Sequence, residues 1–340
     1  MSSSLRKFLI TRLLLTIPMV LILVTLIFFI MRVLPGDPIR SQLGPRVSEE
    51  QADALRERLG LNRPLYIQYF DFLWDMVTLD FGTALTQGER PIRDELAERL
   101  PATIELTIPA ITVTALIGIF SGAFAAKNRK KPIDYGIRLL SIAIYSIPIF
   151  FMGLLFQIIF AVRIPILPLS GRMDTLLLTQ FESITNFYVV DAILTRNWPA
   201  LRSAISHLIM PSITLGLALS GVFVRLTRVN MIEMLQSDFI TAGRARGIPE
   251  KRLVYKHALR NTFIPILTLL GLQFAILLAG AVLTETTFSW PGVGRYLVDR
   301  IELRDYTAVQ ATIAVFAMFV AAISLLMDIF YAFIDPRIRY

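Results

Sequence analysis

The chain contains no cysteine, which removes disulfides, thiolate metal centres and cysteine nucleophiles from consideration. Histidine is nearly as scarce: His207 and His257 are the two in the sequence, and neither sits in a metal-ligand spacing. The dipeptide Gly-Lys does not occur, so the phosphate cradle G-x-x-x-x-G-K-[ST] is missing and nucleotide hydrolysis by that route is excluded. Charge is also thin, at 18% of residues against a usual share of about 25%. No catalytic triad or carboxylate pair replaces these chemistries. The reading is a protein without catalysis of its own.

What is present is apolar, at 55% of the 340 residues. A bilayer core about 30 Å thick takes about 20 apolar helical residues to cross. Charge-free runs of 19 to 24 residues occupy 13–31, 106–126, 139–162, 203–224, 261–284 and 307–327. One charge at a helix centre costs roughly 2.5–3.5 kcal/mol on insertion, so six such windows predict an all-α integral membrane protein with six transmembrane helices. The first run exceeds the roughly 7–15 apolar residues of a cleaved signal and reads as an uncleaved anchor.

The net charge of +8 would suggest nucleic acid in a soluble protein, but its distribution here points to the membrane. The N-terminal tail and the segments 127–138 and 225–260 carry +3, +4 and +5, whereas 32–101 and 285–306 are net acidic. Basic loops alternate with the others, which predicts both termini in the cytoplasm. Residues 1–101 are expected to form an anchor helix plus a long outer loop, and 102–340 a five-helix core. Within the outer loop, Ser48 with Gln51 three residues on is a helix start and Gly60 a stop, so a helical outer segment is expected. Pro18, Pro109, Pro148, Pro211 and Pro265 fall inside runs and are expected to kink helices around a cavity, with simple packing the alternative for some. Gln157, Gln273, Gln310 and Glu285 are candidates for a pathway, with interhelical hydrogen bonding the plain alternative for each. Trp290, in "SWPGVGR" at 289–295, opens a turn into a short outer helix that would either gate the pathway or help seat a binding protein.

The 225–260 segment is longer than a connection between helices needs. Ser237 and Asp238 can cap a short helix "DFITAGRAR", Gly247 can end it in a left-handed turn, and Pro249 suits the start of the next helix. Phe239 and Ile240 offer an apolar knob, Ala242 and Gly243 a bare face, and Arg244 and Arg246 partners for carboxylates. That is a docking element, although a basic loop of this kind also suits anionic lipid headgroups.

This loop resembles the cytoplasmic E-A-A loop of permease subunits of binding-protein-dependent ABC importers. Thr241-Ala242-Gly243 stand at E-A-A, Gly247 at the following glycine and His257-Ala258-Leu259-Arg260 at I-x-L-P. The stretches "LPGDP" at 34–38, "LTETTFSWPGVGR" at 283–295 and "DPRIR" at 335–339 are similar to the dipeptide, oligopeptide and nickel group of these permeases. The resemblance implies a type I ABC importer permease fold in a bacterial or archaeal cytoplasmic membrane. It implies a coupling helix, with Asp238, Phe239, Ala242, Gly243, Arg244 and Gly247, seated on a cytoplasmic ATPase. The implied partners are a homologous permease, one or two ATPase subunits that bind ATP and Mg, an extracytoplasmic substrate-binding protein and membrane lipid, and no nucleic acid. The chain would hold no cofactor. The rival is a secondary transporter or channel driven by an ion gradient, which would place ionisable residues in mid-membrane. A non-transporting scaffold whose 237–252 segment binds lipid is a second.

Overall fold

The computed structural model describes residues 3–33, 48–58, 60–84 and 90–334, which are helical apart from loops and one isolated antiparallel bridge between Thr83 and Pro91. In chain order the helices are α1 Ser3–Val33, α2 Glu49–Arg58, α3 Leu65–Thr78, α4 Ile92–Lys127, α5 Pro132–Ser146 and α6 Ile149–Gln157. They continue as α7 Thr175–Leu178, α8 Tyr188–Leu194, α9 Trp198–Leu235, α10 Asp238–Ala245, α11 Glu250–Arg252, α12 Leu259–Thr287, α13 Val293–Glu302 and α14 Tyr306–Ile334. Two π-helical turns, Ile158–Arg163 and Leu253–Ala258, extend α6 and join α11 to α12.

Among the described residues, four stretches are long and apolar enough to cross a membrane: Ile10–Arg32, Ile92–Lys127, Trp198–Leu235 and Tyr306–Ile329. Pro18 and Pro211 lie inside these helices without ending them. The run 139–162 behaves differently, because Pro132–Ser146 and Ile149–Arg163 meet at 97°. Pro148 has no N–H to give, and its ring keeps the preceding residue out of the helical region. Ile147 accordingly sits at φ −80°, ψ 126°. The run 261–284 lies inside one 29-residue helix, α12.

The chain divides into two compact units, one of 1–101 with 292–325 and the other of 102–291 with 326–340. In the first, Val24 and Phe28 of α1 pack with Phe72 and Met76 of α3, with Ile92 and Leu96, and with Ala308, Ala311 and Ala314. The start of α2 follows the expected pattern, since the N–H of Gln51 donates to Ser48 Oγ at 3.4 Å. Arg300, fully buried, donates to Glu95 at 2.7 Å.

The second unit is built around α9, with 72% of its most apolar window buried. Its contact with α4 is made by small residues. A Cβ on Gly118 would stand 2.2 Å from Phe223 Cβ, and one on Gly216 would stand 2.6 Å from the carbonyl oxygen of Ala110. Close backbone approach of this kind replaces the missing hydrophobic drive between helices in lipid. Thr114 adds a hydrogen bond across the crossing, 2.9 Å to Gly216 O.

Candidate functional site: the 237–260 loop

α9 stops at Gln236, and the chain turns at Ser237, which is extended (φ −72°, ψ 154°). Ser237 occupies the cap position expected of it, but its hydroxyl donates back to Met234 O at 2.6 Å and makes no side-chain cap. Its own carbonyl instead takes the N–H groups of Ile240 and Thr241. The eight-residue α10 follows, with Asp238 in its first turn complementing the helix dipole.

The far end of α10 closes as a Schellman motif. The N–H of Ile248 reaches Gly243 O at 3.1 Å and that of Gly247 reaches Arg244 O at 2.9 Å. Gly247 supplies the left-handed residue, at φ +72°. Pro249 then stands just before α11 as its cap residue. The expected short helix and sharp turn are both there.

The two faces of α10 are unlike. Ile240 and Gly243 are buried, while Asp238, Phe239, Ala242, Arg244 and Gly247 are exposed. Ile240 is sealed in a cluster with Ala123 and Ala126 from the end of α4, Met231 from α9, and Leu253, Val254 and Ala258. Such burial contributes roughly 1.5–3 kcal/mol. A Cβ on Gly243 would lie 2.7 Å from Leu253 Cδ2, so this glycine serves packing within the chain. Of the knob read from sequence, Phe239 remains outside and Ile240 is already used. Arg244 is also engaged, donating to both oxygens of Glu250 at 3.1 and 2.8 Å. The bonded guanidinium holds the Glu250 carboxyl below its usual range. Both side chains are about half exposed, which limits the pair to roughly 0.2–1 kcal/mol.

Near this loop a stronger ionic contact holds α5 to α9. Arg228 donates to both oxygens of Asp134 at 2.6 and 2.7 Å, and Asp134 is buried. In sequence Asp134 is the single acid of the basic segment 127–138, 94 residues from its partner.

The pathway candidates separate. Glu285 and Trp290 are fully buried and meet the same stretch of α4: Thr103 Oγ1 donates to Glu285 at 2.7 Å and Trp290 Nε1 donates to Ala102 O at 2.8 Å. Gln273 is buried with its side-chain carbonyl oxygen unpaired. Gln157 bonds to the carbonyls of Leu169 and Thr287 at 2.9 and 3.1 Å. Gln310 lines a cavity of about 250 Å³ with Arg32, Gln68, Asp75 and Tyr306. His207 takes a packing role, its Nδ1 lying 2.8 Å from Ser203 O.

Comparison with known proteins identifies the family. Residues 116–340 match the family described as binding-protein-dependent transport system inner membrane component, and residues 5–107 match the N-terminal domain described for such membrane components. The chain is 41% identical to the di/tripeptide transport system permease protein of Pseudomonas aeruginosa, over 98% of this chain and 99% of that protein. It is 36% identical to the dipeptide transport system permease protein of Escherichia coli, over the same shares. A glutathione transport system permease protein of Escherichia coli is 35% identical, again over 98% and 99%. The chain is therefore a multi-pass membrane protein that belongs to the binding-protein-dependent transport system inner membrane component family.

Proposed function

We propose that this chain is the transmembrane permease subunit of an ATP-driven ABC importer for di- and oligopeptides or similar small solutes. The observation that carries the reading is α10: a helix held on one side by Ile240 and Gly243 and bare on the other, in a chain related end to end to peptide permeases. Asp238, Phe239, Ala242 and Gly247 form the bare side offered to a cytoplasmic ATPase, with Gly243 packed beneath it and the exposed Arg244 at its edge, paired to Glu250. Six crossings follow if the bent α5–α6 pair and α12 each count as one, with both termini in the cytoplasm of a bacterial or archaeal inner membrane. Residues 1–101 act as anchor and outer segment, and 102–340 as the five-helix core. Gln273, Glu285 and Trp290 belong to the pathway side.

A homologous permease completes the path, a substrate-binding protein delivers cargo, and ATP with Mg acts in the ATPase subunits. The chain itself is non-catalytic. The names of its relatives support a small-peptide cargo. Gly247→Trp tests the coupling role, because the turn projects into open space and a large side chain there obstructs a partner. Normal membrane insertion with loss of ATPase co-purification and of uptake is expected. Unimpaired uptake by this variant would remove the docking role.

A further inference from the structure

Helix α3 is apolar on two sides. One side packs on α1: Tyr69 and Phe72 contact Phe28 with ring centroids 5.3 and 5.8 Å apart, and Tyr69 Oη lies 2.6 Å from Thr25 Oγ1. The opposite side carries Tyr66, Phe70, Trp74 and Val77 at helical spacing, and these are 65, 65, 68 and 78% exposed. A large aromatic stripe left this open in water is unfavourable, so its surroundings need an account.

The contact with α1 sets the depth. The apolar span of α1 ends at Arg32, and Val24 and Phe28, which α3 packs on, lie eight and four residues before that end. At 1.5 Å of rise per residue this places the contact roughly 6–12 Å inside the span. Helices lying in a membrane interface bury their apolar face about 5–10 Å into the boundary of headgroup and acyl chain. The stripe is also continuous in kind with the flank of α1, where Ile22, Leu26, Phe29 and Ile30 are exposed as lipid-facing residues must be. Tyrosine and tryptophan are the aromatic residues enriched at that level of a bilayer. Asp71, beside the stripe, pairs at 3.1 Å with Arg63 and marks a wet edge.

We infer that α3 is an interfacial helix, with Tyr66, Phe70, Trp74 and Val77 immersed in acyl chains of the leaflet that holds the Arg32 end of α1. The occupant of this face is phospholipid. The helix thereby fixes the segment between the first two crossings to the membrane surface.

This chain carries no cysteine, so the test is direct once any cysteines of the partner subunits have been replaced. Phe70→Cys, Trp74→Cys, Val77→Cys and Asp71→Cys are each spin-labelled in the complete importer, in nanodiscs of phosphatidylcholine and phosphatidylglycerol, with retained uptake as the check on folding. Relaxation by oxygen is compared with relaxation by a water-soluble nickel chelate. The stripe positions are expected to favour oxygen, and position 71 the chelate, so that the ratio reverses across one helical step. Chelate access at all four positions would place the helix in water and overturn the inference. Exclusion of both agents at the stripe would overturn it too, by showing a protein partner there. Three stripe positions keep the result readable if one variant fails to assemble.

Discussion

Arg172 donates two hydrogen bonds, at 2.9 and 2.6 Å, to one carboxylate oxygen of Glu105, and both side chains are almost wholly buried. The second oxygen of Glu105 accepts the N–H of Val189 at 2.8 Å, and the guanidinium lies 3.8 Å over the ring of Tyr188. The Glu105–Arg172 pair is thus a strut for the 164–197 segment. Removing one partner leaves the other buried and unpaired, at a cost of roughly 3–5 kcal/mol. Arg172→Met and Glu105→Gln should each lower the thermal midpoint of the purified importer, whereas Arg172→Met with Glu105→Met should recover part of the loss. Equal midpoints for a single variant and the wild type would contradict this.

The turn after α10 gives a graded prediction. Gly247 has open space around it, so within this chain only its positive φ resists substitution, by roughly 1–2 kcal/mol for an ordinary L-residue. Gly247→Asn should keep most uptake, because asparagine visits this region readily, and Gly247→Val should lose it. Uptake assays on the pair decide the matter, with Asn worse than Val as the contrary result.

The crossing of α4 and α9 should be the most size-sensitive place in the second unit. Gly118→Leu and Gly216→Leu drive a side chain into Phe223 and into the backbone of Ala110, whereas Gly136 has no neighbour within 4 Å of an added Cβ. The first two should abolish a monodisperse peak in size-exclusion chromatography, and Gly136→Ala should elute like the parent.

Asp191 supplies a pH dependence. Burial pushes its carboxyl up, but the hydroxyls of Thr185 and Ser183 and the N–H groups of Thr185 and Ile184 outweigh that and hold it below the ordinary value of 3.8. A carboxyl depressed in the folded state contributes stability that is present above its unfolded pKa and lost as pH falls through the folded one. Hydrogen exchange at residues 183–191 should therefore stay protected from neutral pH down to that ordinary range and rise only below it. Asp191→Asn should show the open state already at neutral pH.

Much of this was readable because lipid imposes simple rules. Charge-free runs of sufficient length marked where α1, α4, α9, α12 and α14 lie, and Gly247 marked its turn because few residues accept that conformation. The break at Ile147 went further than the kink expected of Pro148, since how far a chain bends is decided by what it packs on. Direction was harder still. The spacing of Phe239 and Ile240 does not say which one faces Met231, and Gly243 looked bare until Leu253 came against it. Glu105 and Arg172 are 67 residues apart, beyond any local pattern. The spacing of Gly118 and Gly122, by contrast, is a local signal of a close helix crossing, carried by two small residues one turn apart.

The sealing of Ile240 between the ends of α4 and α9 leaves the loop without slack. Under the proposed docking, a push on Phe239 would meet no soft joint, and would have to pull a fully enclosed isoleucine from its socket or carry both helix ends along. In that proposed role the loop would be a short stiff lever, with the stroke delivered to the bundle set by the partner's travel.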